Sequence, residues 1–348
     1  MRWTSPKLNI GIDVGHSSVK MVALNKTTNS VYKVKSIDMF NENHVSEHTD
    51  INDIVIQSTI NKVLDGLPTK NSDFNIALST SFNNLFVIDI PQVSDNEIKQ
   101  VMRWDMEALL PEDINNYEFD FQILSRNRKD KTITLLVGAL QKKKIELVLE
   151  VMGKYGDHIQ IIGIDMLSAL MALFNKIEVV DDTVGFLQIG ADHTTYAIVS
   201  ATEKPSFITL PFGGNSLDSI IAKNQGIAFA TAREKRIKNE YYKQVDALEK
   251  SNNSIEAELF EHVVGFTKNL IHFNAHYFHK YKKNITQVYA TGGLVNDLMI
   301  AEFLKNEKLF LNIPCQLWDP IPENATQNDS QSALHYIYGP SLGVALHG

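Results

Sequence analysis

The sequence holds one cysteine, Cys315, in 348 residues. A lone thiol forms no internal disulfide, which excludes a disulfide-stapled fold and fits a reducing compartment. Long hydrophobic runs are also missing. No stretch approaches the roughly 18 apolar residues of a membrane span. The most apolar segment, Ile159–Phe174, is broken by Gln160, Asp165 and Ser168 and reads as a buried strand and helix. The start, MRWTSPKLNIG, lacks the apolar core of a secretory signal. The expectation is a cytoplasmic protein without direct membrane insertion, reaching a membrane only through a partner. Positive charge is in deficit. A net charge of −8 argues against a nucleic-acid surface, and the basic runs Lys142–Lys144 and Lys280–Lys283 read as solvated helix ends. What remains is the composition of a soluble globular chain, 44% apolar and 21% charged, too long for one ordinary core. Two or more lobes are expected.

The richest stretch is Asn9–Ala23, NIGIDVGHSSVKMVA. Ile10 and Ile12 alternate with Gly11 and Asp13, and Val19, Met21 and Ala23 alternate with Lys20 and Val22. This period of two predicts a half-buried hairpin. Its turn carries what a phosphate cradle needs. Gly15 allows close backbone approach, and Ser17 and Ser18 offer hydroxyls and N–H donors. Asp13 suits a hydrated Mg²⁺, and Lys20 supplies a point charge for a phosphate.

Further along, strands are predicted at 30–40 and 75–79, with a helix at 51–64 between them. A different texture follows. FVIDI (Phe86–Ile90) reads as a strand, and Ser94 with Glu97 opens a helix that stops before Pro111. Strands at 118–124 and 132–139 and a helix at 142–155 complete a βαββα unit. After a strand at 160–164 and a helix at 165–175, a second hairpin (183–189 and 194–200) repeats the layout of the first around Gly190-Ala191-Asp192-His193-Thr194. The echo points to a duplicated architecture with a ligand between the lobes. A strand at 206–210, a helix from Leu217, a mostly helical stretch at 228–281, a strand at 286–290, a helix at 297–305, a strand at 313–317 and a terminal helix close the pattern. Polar loops are expected at 41–50, 252–254 and 323–330.

Four motifs stand in order: D-x-G-x-S-x-x-K (Asp13–Lys20), G-x-x-x-T (Gly190–Thr194), G-G-N-S (Gly213–Ser216) and T-G-G-L (Thr291–Leu294). Their order resembles the phosphate-1, phosphate-2 and adenosine motifs of the actin/Hsp70/FtsA ATPase superfamily. Within it the chain is similar to the PilM family of type IV pilus assembly, over nearly its whole length. The likeness rests on GIDVGHSSVKMVAL, LLPEDINNYEFDFQIL, IIGIDMLSALMAL, LPFGGNSLDSIIA, VYATGGLVNDL, GPSLGVAL and the insert. The resemblance implies an α/β, actin-like two-lobed fold of duplicated ribonuclease-H-like lobes with an FtsA-type βαββα insert subdomain. The first lobe would span 1–82 with 159–182 and 331–348. The insert would span 83–158. The second lobe would span 183–330, including a helical subdomain at 217–284.

The resemblance also implies ATP with Mg²⁺ between the lobes. Asp13, Gly15, His16, Ser17, Ser18 and Lys20 would meet phosphates, with Asp13 at the metal. Gly190 and Thr194 would clamp the phosphates from the other side. Gly213, Gly214 and Asn215 would line the ribose, and Gly292, Gly293 and Leu294 the base. It implies a scaffold on the inner face of the cytoplasmic membrane in a system of pilus biogenesis and twitching motility. Its partners would be the N-terminal tail of a PilN-like membrane protein, in a groove between first lobe and insert, and other pilus platform proteins. ATP would modulate partner binding, and a homo-oligomer is left open.

Two departures bear on chemistry. The family's Asp-Ile-Gly is Gln188-Ile189-Gly190 here, and an amide cannot replace a carboxylate in polarising water or Mg²⁺. The family's Ala-Glu and Lys beside the ribose meet Ala232-Arg233-Glu234-Lys235-Arg236. At most a slow ATPase is expected, with no catalytic residue assigned. The alternatives are an FtsA-like filament-forming ATPase, a GspL-like component of type II secretion, a sugar kinase, and an actin-fold adaptor that has lost its nucleotide. An FtsA-like protein would carry a C-terminal amphipathic helix and a GspL-like one a membrane span, neither of which follows Leu346 here. His272, His276 and His279 share a predicted helix face at metal-like spacing, but their aromatic neighbours point to packing. Met102 and Trp104 are expected in a core or partner groove, Asp165 as a helix cap, and His16 beside Ser17 as no hydrolase triad.

Overall fold

The computed structural model describes residues 6–39, 53–79, 84–177, 182–241, 255–321 and 335–347. The loops expected at 41–50, 252–254 and 323–330 lie outside these residues.

The first sheet contains β1 (Leu8–Val14), β2 (Ser18–Asn25), β3 (Val31–Asp38), β4 (Asp73–Leu78) and β8 (Ile159–Ile164), in the order β3-β2-β1-β4-β8. The β1–β2 and β2–β3 pairs are antiparallel, whereas β4 runs parallel to both β1 and β8. The second sheet repeats this plan. It contains β9 (Thr183–Ile189), β10 (Thr194–Ser200), β11 (Ser206–Leu210), β12 (Gln287–Thr291) and β13 (Cys315–Leu317), in the order β11-β10-β9-β12-β13. Again a three-stranded antiparallel meander joins two parallel strands. The fold is therefore the duplicated, two-lobed actin-like one.

The first hairpin departs from the half-buried expectation. All of β1 except Val14 is buried, on both faces. One face, with Ile10, Ile12 and Met21, shares its core with Ile60, Val63 and Leu64 of helix α1 (Asp53–Leu64). The other, with Gly11, receives the last helix, Gly339–His347. A Cβ on Gly11 would lie 1.9 Å from the Ser341 carbonyl oxygen. The small residues that alternate with Ile10 and Ile12 thus mark the close approach of a helix, not a solvated face. The last helix is packed equally tightly on its far side. A Cβ on Gly343 would lie 1.7 Å from the Ser168 carbonyl oxygen, in the helix Asp165–Phe174.

The insert is the antiparallel sheet β5-β7-β6, from β5 (Leu85–Pro91), β6 (Tyr117–Asn127) and β7 (Thr132–Gln141). Helix α2 (Asp95–Glu107) covers it with Ile98, Met102 and Met106, four residues apart on one stripe. The Glu97 carboxylate accepts from the Ser94 N–H at 3.0 Å and from Ser94 Oγ at 2.6 Å, which closes the helix start as the sequence predicts. Met102 is core, whereas Trp104 on the same helix is 64% exposed. The following helix α3 (Lys142–Val151) puts Val148 and Val151 into the first lobe's core, so the insert is anchored to that lobe by an apolar seam.

Two glycine substitutions separate close packing from helix propensity. Gly343→Ala is expected to cost about 3 kcal/mol or more, because backbone rather than a yielding side chain must move. Gly265→Ala, in the helix Ile255–Tyr281 with nothing within 4 Å of its new Cβ, is expected to gain about 0.5–1 kcal/mol. Urea unfolding of both variants checks the contrast.

Candidate functional site

Both hairpin turns open on one cleft of about 570 Å³ between the lobes. On the first wall, the register of β1 and β2 sets Asp13 opposite Lys20, with Lys20 Nζ 3.1 Å from Asp13 Oδ2. The Gly15 N–H donates to the Ser18 carbonyl at 3.2 Å and closes the turn. A Cβ at Gly15 would sit 2.6 Å from Lys20 Nζ, so a bare glycine lets the ammonium lie over the turn. Asp13 is buried, and burial pushes its pKa up to about 6. Lys20 opposes that rise, and the Asp165 carboxylate adds to it.

Asp165 is the first residue of the helix Asp165–Phe174. It follows the N-cap position occupied by Ile164, so it is not the cap that the sequence implied. Its Oδ1 accepts from the Met166 N–H at 2.8 Å, and its Oδ2 accepts from Gln188 Nε2 at 2.9 Å. Gln188 Oε1 is buried and finds no hydrogen-bond partner among the described residues. The cleft floor thus holds two carboxylates, one amide and an acceptor left over.

The second wall is built by backbone packing. The Gly190 N–H donates to the His193 carbonyl at 3.0 Å. Gly214 and Asn215 donate their N–H groups to the carbonyls of Gly190 and Ala191 at 3.2 and 2.7 Å. A Cβ on Gly213 would lie 2.4 Å from the Ala191 oxygen. Gly292, at φ +105°, would place one 2.3 Å from the Ile189 oxygen. Thr194 Oγ1 donates to the Phe212 carbonyl at 2.7 Å. Of the residues expected here, Gly190, Gly214, Gly292, Gly293 and Leu294 line the cleft, as do Asp13, Gly15, His16, Ser17, Ser18 and Lys20 opposite. Thr194, Gly213 and Asn215 stand behind the wall and hold it in shape.

Sequence reasoning missed several lining residues. Helix α6 (Phe229–Ile237) aims Arg233 and Arg236 at the cleft. Arg236 Nε and Nη2 donate to the two Asp218 oxygens at 2.6 and 3.1 Å, and Nη1 donates to Asp297 at 3.4 Å. Arg233 reaches across the cleft to Asp38 of β3 at 2.8 Å. The signal was the three-residue spacing of two arginines in an otherwise amphipathic helix. Asp192 and His193 lie in the second turn beside His16. Burial first, then His193 and Lys144, lower the pKa of His16 to about 3, so its ring is neutral at pH 7. His272, His276 and His279 are solvent-exposed rather than packed, and they do not converge.

Mg²⁺ binds through one or two carboxylates with waters and phosphate oxygens. Asp13 and Asp165 offer that donor set, side by side on the cleft floor. On the opposite wall the N–H groups of Gly190, Gly214, Asn215 and Gly292 already donate to backbone carbonyls, which leaves Lys20 as the group that would meet phosphate charge. The residues fit a nucleotide with its metal.

Asp13 also carries a pH signature. Its folded pKa exceeds the ordinary 3.8, so its contribution is fully present below pH 3.8 and is lost as pH rises through about 6. From pH 4 to pH 7, nucleotide-free Asp13→Asn is expected to gain on the parent by on the order of 3 kcal/mol. Urea unfolding at the two pH values measures it; parallel curves would refute the shift.

A family model described as type IV pilus assembly protein PilM matches residues 11–346. Among solved structures, a PilM–PilN type IV pilus biogenesis complex is similar at 18% identity with a TM-score of 0.77, covering 97% of this chain and 97% of that one. The ethanolamine utilization protein EutJ from Carboxydothermus hydrogenoformans is similar at 15% identity with a TM-score of 0.51, covering 99% of this chain and 91% of that one. At these identities the structural likeness speaks for the fold. Among curated proteins none matches. With the family match running from β1 to the last helix, on a two-lobed actin-like fold, the chain belongs to the PilM family of type IV pilus assembly proteins.

Proposed function

We propose that this chain is a nucleotide-binding scaffold of the pilus assembly platform, and that ATP between its lobes sets its grip on the N-terminal tail of a PilN-like membrane protein. The observation that carries the reading is the facing pair of turns. A carboxylate and an ammonium stand over one glycine turn, and a backbone-packed glycine turn stands opposite. Asp13, with Asp165 beside it, would hold Mg²⁺. Lys20 would turn from Asp13 to a phosphate. The bound metal would neutralise phosphate charge and orient the phosphates.

Turnover is slow in this reading. Gln188 stands where the family has a carboxylate, and its amide is already engaged by Asp165. The nucleotide then acts through differential affinity for open and closed lobes. The Arg233–Asp38 pair spans the cleft, but Asp38 is half-exposed, and such a pair contributes only about 0–1 kcal/mol. It biases closure without locking it. A route to the partner groove runs through the insert: Lys144 Nζ donates to the Ser79 carbonyl at 2.9 Å, and Ser79 Oγ lies 3.4 Å from His193 Nε2 in the second turn. No helix among the described residues is long and apolar enough to cross a membrane, which accords with attachment through a partner.

Calorimetric titration of ATP with Mg²⁺ into nucleotide-free protein is expected to show micromolar binding. Lys20→Ala should weaken it about 10–100-fold, the worth of a hydrogen bond to a charged group. Absence of binding would leave an adaptor that has lost its nucleotide. The affinity of the PilN-type tail peptide should change about 5-fold or more when ATP is added. Equal affinities with and without ATP would sink the switch.

A further inference from the structure

Three metal-type ligands meet at the cleft from two different lobes. His16 follows Gly15 in the first turn, and Asp192 and His193 belong to the second. His16 Nε2 lies 3.7 Å from Asp192 Oδ2, and His193 Nδ1 lies 3.5 Å from the same oxygen. All three ligand atoms lie within 4.8 Å of one another. A tetrahedral ion with bonds of about 2.0–2.1 Å holds its ligand atoms roughly 3.3–3.4 Å apart. Two of the three separations are within a few tenths of an ångström of that value, and the third is at most 4.8 Å. The other nitrogen of His193, Nε2, lies 3.4 Å from Ser79 Oγ, so a hydroxyl orients the ring with Nδ1 toward Asp192. Such support behind a ligand is a usual part of metal sites.

We propose that His16, Asp192 and His193 form a divalent transition-metal site that bridges the two phosphate turns and keeps a coordination position open to the cleft. Two imidazoles and one carboxylate favour Zn²⁺, Co²⁺ or Fe²⁺ over the hard Mg²⁺, so this site is chemically separate from the one at Asp13. The Lys144 ammonium nearby works against a cation, and the Asp192 carboxylate offsets it. All three side chains face the cleft, so the fourth position takes water or an anionic oxygen. An ion held this way ties the first lobe to the second without a nucleotide.

The test uses metal-stripped, nucleotide-free protein, so its outcome is independent of ATP binding. Titration with Co²⁺ is expected to produce the visible absorption of a low-coordinate site, saturating at one equivalent, reversed by Zn²⁺ and unaffected by excess Mg²⁺. His16→Ala and His193→Ala should each weaken binding by at least the roughly 10–100-fold that loss of a supporting residue costs, and Ser79→Ala by about 10-fold. His272→Ala, on the exposed face of the helix Ile255–Tyr281, should change nothing. X-ray absorption of the Zn²⁺-loaded parent protein should show two imidazoles, which keeps the test valid if a variant fails to fold. No Co²⁺ absorption, no imidazole scattering, or binding that survives both cleft variants and falls with His272→Ala would overturn the proposal.

Discussion

Contact of backbone against backbone is the constraint on which the rest of this structure depends. Gly11 and Gly343 let the last helix lie between the first sheet and the helix Asp165–Phe174. Gly213 and Gly292 let two other turns lie directly on the turn of the second hairpin and the strand end before it. At each of these positions a methyl group would overlap a carbonyl, and a carbonyl does not yield as a flexible side chain does. The first pair sets the depth of the first lobe. The second pair makes the opposite cleft wall a stack of peptide groups bonded to one another, with no side chain between them. Glycine in these motifs is therefore a packing residue.

The lobes are joined unequally around the cleft. Away from it, Phe186 and Ala197 of the second sheet enter the apolar cluster of the first lobe together with Trp318 and Tyr338. Phe186 and Trp318 meet edge to face at 5.7 Å. At the mouth, the links are polar and part-exposed: Arg233 with Asp38, and His16 with Asp192. A continuous core on one side and weak polar contacts on the other is the arrangement of a hinge. Burial holds the lobes together while their separation at the mouth remains cheap to change.

The cleft floor shows how the chain manages buried charge. Burial raises the pKa of Asp13, and the neighbouring Asp165 carboxylate adds to the rise. A third carboxylate at position 188 would add to it again, and Gln188 instead donates to Asp165. The amide at position 188 therefore keeps a third negative charge off the floor. Arg236, held by two buried carboxylates, keeps its charge out of this balance while shaping the far end of the cleft.

Much of this was legible in the sequence. Alternation marked the first hairpin, the Ser94–Glu97 pair marked the insert helix, and the echo of strand, glycine turn and strand marked the second hairpin and the duplicated sheets. All are local signals, carried by residues a few positions apart. Where local signals misled, packing was the reason. Asp165 read as a cap because the strand beside it was out of view, and Gly11 read as part of a solvated face because the helix covering it comes from the other end of the chain. By itself, the sequence determined the elements, their duplication, and which turns carry glycine, serine, aspartate and lysine. Only the tertiary structure decided that Thr194, Gly213 and Asn215 support the wall rather than line it, that Arg233 spans the cleft, and that His16 meets Asp192 and His193. Those relations join residues far apart in the chain, and their distances are set by how two sheets and their helices pack, which no local pattern encodes.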